Sequence, residues 1–180
     1  MAVSSLMVAL GSPAPDFALP DLAGKTVRRD DFAAAPALLV AFLCNHCPYV
    51  QHVEAELGAL VARYPSLAVV GICTNDAEGY PEDRPERLAE QAERAGWRFP
   101  YLVDADQEVG RAYRAACTPD FYGFNVDLKL QYRGRLDASK TSPVTNARRE
   151  LFEAMLEVAH TGRGPKEQVA SMGCSIKWKV

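Results

Sequence analysis

Apolar residues along this chain recur with two different periods. Residues 37–43 form an unbroken apolar run, and a strand that is apolar on both faces belongs in the middle of a parallel sheet. After it, Val50, Val53, Leu57, Leu60, Val61 and Tyr64 fall on one stripe at helical spacing, and Pro65 ends that helix. Residues 67–73 repeat the buried-strand pattern. A polar, proline-rich loop (75–85) leads to a helix near 85–95, with Asp83 and Glu86 in capping-box spacing. A short run at 99–103 precedes a second such signature, Asp104 and Gln107, before a helix carrying Val109 and Tyr113. Residues 120–126 and 128–133 then read as two strands joined at 125–127, an antiparallel hairpin. A last helix, about 147–160, buries Leu151, Met155 and Val158, with Gly162 as its terminator. Residues 16–30 form a further short hairpin turning at Ala23-Gly24. Strand–helix–strand followed by helix, hairpin and helix predicts an α/β three-layer sandwich with a mixed central sheet and an N-terminal β-hairpin extension. We expect one domain over 1–180, with an N-terminal extension of about 1–35 and a C-terminal tail of about 162–180.

The chain has 180 residues, 23 acidic and 20 basic side chains, a formal charge of −3 and 48% hydrophobic residues. That length supports one core without disulfide staples. The charge balance gives no electrostatic reason to expect nucleic acid or an anionic membrane surface, and the apolar content argues against disorder. The first ten residues are mildly apolar but lack a basic stretch, and Gly11, Pro13 and Pro15 then interrupt the chain; this reads as neither signal peptide nor anchor. No apolar run approaches the roughly 20 residues that span a bilayer. The expectation is a cytoplasmic protein, where cysteine pairs are more often catalytic, redox-sensing or metal-binding than structural. Its cysteines number five, so at least one thiol stays unpaired within a monomer.

Two of the five stand together in Cys44-Asn45-His46-Cys47-Pro48, between the first buried strand and the striped helix. Free N–H groups and the positive dipole end at a helix start both favour a thiolate. Cysteines three apart there can close and open a disulfide with little backbone movement, and His46 adds positive charge. A zinc site with His46 or His52 is the competing reading, but zinc ribbons supply a second Cys-x-x-Cys, and Cys73, Cys117 and Cys174 are scattered. No metal and no bound cofactor is therefore expected. Thr118-Pro119 directly precedes the hairpin, where a cis prolyl bond would bring a backbone loop against the pair.

Beyond the pair, several segments form one pattern: Ala14-Pro15-Asp16-Phe17 with Leu19-Pro20, Phe42 with Cys44 to Val50, Tyr80-Pro81-Glu82-Asp83, and Phe99-Pro100-Tyr101-Leu102. Cys117-Thr118-Pro119-Asp120, Tyr132-Arg133-Gly134-Arg135 and the tail Gly173-Cys174-Ser175-Ile176-Lys177-Trp178 continue it. On these residues the chain resembles the thioredoxin-like superfamily, in a peroxiredoxin-like branch of the alkyl hydroperoxide reductase and thiol-specific antioxidant group. The resemblance implies a thioredoxin-like sandwich and a cis Pro119 facing the cysteine pair. Peroxiredoxins carry Pro-x-x-x-Thr-x-x-Cys; with Cys47 in the peroxidatic place, Val40 and Cys44 stand where Pro and Thr belong. Thioredoxins carry Trp before the first cysteine and an Asp six residues upstream of it; here these are Leu43 and Leu38.

Three classes of function are open to such a chain. The leading one is a thiol–disulfide oxidoreductase acting on protein or small-molecule disulfides, recharged by an external thiol reductant system. In it Cys44, at the exposed start of the helix, attacks, Cys47 resolves, and His46, backed by Glu54, moves the proton. The second is a thiol-dependent peroxidase in which Cys47 attacks peroxide and Cys44 or Cys174 resolves it. The third is a redox-sensing or partner-binding module without catalysis. Thr118, Pro119, Asn45 and Pro48 line the expected site, and Cys174, on a mobile tail, is a second candidate resolving thiol. Cys117 lies near the pair if Pro119 does, Cys73 is expected to be packing, and Arg84, Arg133 and Arg135 are candidate anion holders. Ile176 and Trp178 either anchor the tail or form an exposed patch.

Overall fold

In the computed structural model, which describes residues 1–180, the apolar run at 37–42 is buried along its whole length. In chain order the strands and helices are β1 (Ala2–Ser4), β2 (Ala18–Pro20), β3 (Thr26–Arg28), β4 (Ala37–Phe42), α1 (Pro48–Arg63), β5 (Ala68–Cys73), α2 (Pro85–Ala95) and β6 (Tyr101–Val103). They continue with α3 (Glu108–Ala112), β7 (Cys117–Thr118), β8 (Asp120–Asn125), β9 (Leu130–Tyr132), α4 (Glu150–Thr161) and β10 (Met172–Ser175). The main sheet has the order β6-β5-β4-β8-β9. Strands β4, β5 and β6 run parallel, and β8 and β9 are antiparallel to their neighbours. This is the mixed sheet the sequence pattern predicts.

Alternate residues of β4 point into two separate cores. Leu39, Ala41 and Leu43 pack with Val50, Leu57 and Leu60 of α1, Leu88 of α2 and Leu151 and Met155 of α4. Leu38, Val40 and Phe42 pack on the other face with Leu19 and Val27 of the β2–β3 hairpin, with Tyr113, and with Ile176 of the tail. The hairpin turns where expected, with Gly24 at φ 86°, a conformation open to glycine at little cost. Helix α1 begins at Pro48, which needs no amide partner in the first turn, and stops just before Pro65. Gly96 and Gly162 close α2 and α4 in left-handed conformations, at φ 67° and 74°. No helix is long and apolar enough to cross a membrane.

Three local expectations need correction. Asp83 does not cap α2: the residue before the helix is Arg84, without a side-chain cap, and Pro85 begins the first turn. Asp83 is buried and turned toward the cysteine loop instead. Gln107 is not half of a capping box either. The first-turn amides of Val109 and Gly110 donate to the Asp104 carboxylate, while the Gln107 amide donates to the carbonyls of Thr74 and Lys177.

The third correction concerns the tail, which is held in place. Strand β10 lies antiparallel between β1 and β7, with Cys174 opposite both Ala2 and Thr118. Beyond it, Ile176 donates its N–H to Ala116 O at 3.2 Å, Lys177 N–H donates to Asn75 Oδ1 at 2.9 Å, and Trp178 lies beneath the Arg111 guanidinium at 4.4 Å. Of the two roles considered for Ile176 and Trp178, anchoring is the one the contacts serve. Closest approach falls at Gly173, where an added Cβ would stand 1.9 Å from Thr118 O. Because that neighbour is backbone, Gly173→Ala should lift the strand from β7. We expect a loss of about 1–3 kcal/mol in urea denaturation, together with faster amide exchange at 172–175.

Candidate active site

Strand β4 delivers Cys44 to the edge of the sheet, and Cys47 is the residue immediately before α1. Both thiols are fully buried, so the expected exposed Cys44 is not found. Opposite them is the loop between β7 and β8, where the Thr118–Pro119 bond is cis. Cys44 Sγ lies 3.1 Å from Thr118 Oγ1, and the Cys47 thiol donates to Thr118 O at 3.2 Å. Thr118 and Pro119 thus meet the pair as expected. Asp120, the next residue, is locked by Arg133, whose guanidinium also sits 3.9 Å over the Tyr122 ring. Arg133 is therefore committed to holding this loop. Arg135 pairs with Glu150 at 2.8 Å, and Arg84 reaches only a loop carbonyl, that of Ala77. All three arginines have partners other than the thiols.

The two sulfurs are unlike electrostatically. Cys47 is drawn down to about 5, first by the hydrogen bond from the Cys44 thiol, then by donors from Cys174 and the Val50 amide. Burial opposes this, and the sulfur's place at a helix start favours it. Cys44 moves the other way. Donating to Cys47, being buried and standing near the Asp83 carboxylate all favour its protonated form. Burial pushes Cys73 and Cys117 up as well, in keeping with packing for Cys73. Cys117 does lie near the pair, its thiol aimed at Pro119 O at 3.7 Å.

Asp83 is the functional candidate that sequence reasoning missed, because its spacing to Glu86 imitated a cap. Its carboxylate accepts from Asn45 N–H at 2.8 Å and from Asn75 Nδ2 at 2.8 Å. His46 Nδ1 lies 2.8 Å from Asp83 Oδ2, and the imidazole stacks on Tyr80 at 5.3 Å. Burial works to raise the Asp83 carboxyl, but His46, Asn75 and the Asn45 amide outweigh it and leave it below the usual range. The contact with Asp83 holds His46 above the ordinary histidine value. Asn45 also accepts from Arg94 at 2.6 Å, and with His46, Gln51, Glu54, Glu82 and Arg94 it lines an open polar depression of about 520 Å³. Glu54 is engaged by Arg94 and Gln91. Gln91, which carried no sequence signal, donates to the Cys44 carbonyl at 2.9 Å. Cys44, His46 and Asp83 each present one potential metal-ligand atom, all within 4.8 Å.

Residues 10–135 match the AhpC/TSA family. This chain belongs to that family. Among its relatives is the thiol-disulfide oxidoreductase ResA of Geobacillus thermodenitrificans, 31% identical over 69% of this chain and 68% of ResA. An uncharacterized conserved protein from Geobacillus kaustophilus has a crystal structure that superposes with a TM-score of 0.93 at 48% identity, covering 99% of this chain and 97% of the other. A thioredoxin domain of a thiol-disulfide oxidoreductase from Bacteroides vulgatus aligns at TM-score 0.60 and 20% identity, over 71% of this chain and 91% of that domain. The fold of this AhpC/TSA member is thioredoxin-like.

The His46–Asp83 pair makes a signed prediction. The raised histidine value means the pair's stabilisation is fully present below the unfolded histidine value of about 6.5 and fades as pH rises through the folded one. By NMR titration, His46 in the native protein should titrate above about 6.5. In Asp83→Asn it should fall toward that value, and an unchanged titration would remove the pair from the site.

Proposed function

We propose that this protein is a thiol–disulfide oxidoreductase whose working pair is Cys44 and Cys47. The observation that carries the reading is that both sulfurs meet one residue of the Thr118–Pro119 loop, Cys44 at the Thr118 hydroxyl and Cys47, at the start of α1, at the Thr118 carbonyl. A thiolate in contact with a neutral thiol has the two components of disulfide exchange side by side. The roles expected from sequence reverse in this reading. Cys47, the acidified sulfur, attacks a substrate disulfide and expels one substrate thiolate. Cys44 then loses its proton and attacks Cys47 within the mixed disulfide, expelling the second thiolate. His46 and Asp83 stand beside Cys44 to take that proton. An external thiol system regenerates the dithiol. Relationship to ResA supports this class of chemistry.

Peroxidase action is a second reading, favoured by one specific feature. Cys47 is both the acidified sulfur and the cysteine in the peroxidatic place. Peroxide attack would give a Cys47 sulfenic acid, which Cys44 condenses to the same disulfide with release of water.

Cysteine variants separate these readings. With a model disulfide at pH 6.5, Cys47→Ser should lose exchange by about 100-fold or more. Cys44→Ser combined with Cys174→Ser should stall as a mixed disulfide on Cys47; stalling on Cys44 in Cys47→Ser instead would restore the opposite assignment. Stopped-flow mixing with hydrogen peroxide should show slow sulfenic acid formation on Cys47, whereas a fast reaction would make peroxidase the primary activity.

A further inference from the structure

Both cysteines of the working pair are closed to solvent, yet a thiol–disulfide enzyme must pass electrons to something outside. Cys174 is the partly exposed thiol among the five. It sits in β10 directly opposite Thr118, whose carbonyl accepts from the Cys47 thiol at 3.2 Å, and it packs against the core cluster that holds Cys44 and Cys47. Cys47 therefore shares Thr118 with two other thiols, a buried one just after β4 and a half-exposed one on the tail. Strand β10 also covers the free edge of β7. Ser171 Oγ donates to Pro119 O at 2.8 Å, and Gly173 lies flat on the Thr118 carbonyl with no room for a side chain. The strap denies a bulky partner direct approach to Cys47 on this side.

We propose that Cys174 is a third redox thiol, relaying reducing equivalents from small external thiols to the buried Cys44–Cys47 disulfide. This rests on the working pair proposed above. Starting from that disulfide, the Cys174 thiolate attacks Cys47 Sγ. The Cys47–Cys174 bond forms, the Cys44–Cys47 bond breaks, and Cys44 leaves as a thiolate that takes up the proton Cys174 gave up. No net electrons move in this step. An external thiol RSH then gives its proton to water and attacks Cys174 Sγ, freeing Cys47 as the thiolate and leaving a Cys174–SR mixed disulfide. A second RSH attacks the R sulfur, releasing RSSR and the Cys174 thiol. Two external thiols are thereby oxidised and one protein disulfide is reduced.

The order of acidities suits the second step, attack by the external thiol. Burial and the neighbouring Cys47 push Cys174 up to about 11, partly offset by Lys177, so the tail thiol is a poor leaving group while Cys47 is a good one. An external thiol that attacks Cys174 thus expels the better leaving group and returns Cys47 to its resting charge. Attack by Cys174 itself is the demanding step, because few of its thiols are ionised near neutrality. The relay is set up to be slow in forming the outer bridge and quick in resolving it.

Two measurements on the full chain test the relay. In Cys44→Ser, which keeps the tail intact, one equivalent of diamide should yield a Cys47–Cys174 disulfide, read by non-reducing peptide mapping. Oxidised Cys47 found without that bridge would overturn the proposal. In the second, pre-oxidised native protein and pre-oxidised Cys174→Ser are reduced with glutathione, and release of the Cys44 thiol is followed by alkylation. The variant should be slower by roughly tenfold or more; equal rates would overturn the relay. Failure of the native protein to form a reversible Cys44–Cys47 disulfide would sink the working pair instead, and the bridge in Cys44→Ser would still be decided on its own.

Discussion

The Cys47 sulfur is buried, so whatever charge it carries must be stabilised by protein groups rather than by water. A buried thiolate is costly unless donors replace its hydration, and here those donors come from three separate parts of the chain. Helix α1 supplies its N-terminal end, the loop after β4 the Cys44 thiol, and β10 the Cys174 group. Each part reaches the sulfur only when its own packing is complete. The apolar stripe of α1 must be seated on the sheet, and the tail must be threaded between β1 and β7. The charge on one sulfur is thereby linked to the docking of both chain ends.

Asp83 contributes by a less direct route. A negative group near Cys44 disfavours a second negative charge there, so Cys44 stays a thiol and remains able to donate to Cys47. The carboxylate is itself held by Asn45, Asn75 and His46, and Asn45 is part of the same cysteine loop. Loop geometry and thiol protonation are thus controlled by one buried group. The imidazole and the carboxylate stand beside Cys44.

The departures from the peroxiredoxin pattern acquire a physical meaning in this setting. Cys44 stands where that pattern has threonine, and its thiol donates to Cys47. A thiol donor, unlike a hydroxyl, can also be oxidised. The same contact that acidifies Cys47 can therefore become a covalent bond. Thr118, on a different element, brings a hydroxyl to Cys44 instead. The chain carries the AhpC/TSA framework with a dithiol at its centre, and its kinship with ResA accords with that chemistry.

Much of this was legible along the chain. Continuous apolar runs mark β4 and β5 because both faces of those strands are buried, and one stripe at helical spacing marks α1. The position of Cys-x-x-Cys between them places it at a helix start, and Pro48 agrees with where that start must fall. Only the folded chain brings together the distant groups that act on the two sulfurs. The Val50 amide is local, but Cys174 arrives on the tail strand and the Asp83 carboxylate comes in from the loop after β5. Asp83 and Glu86 have the spacing of a cap, yet Pro85 starts the helix one residue too late and leaves the carboxylate free to turn inward. The tail reads as loose for a related reason, since glycine and short polar residues carry no strand period. Gly173 is small because it must lie against the Thr118 carbonyl, a requirement set entirely by a partner more than fifty residues away.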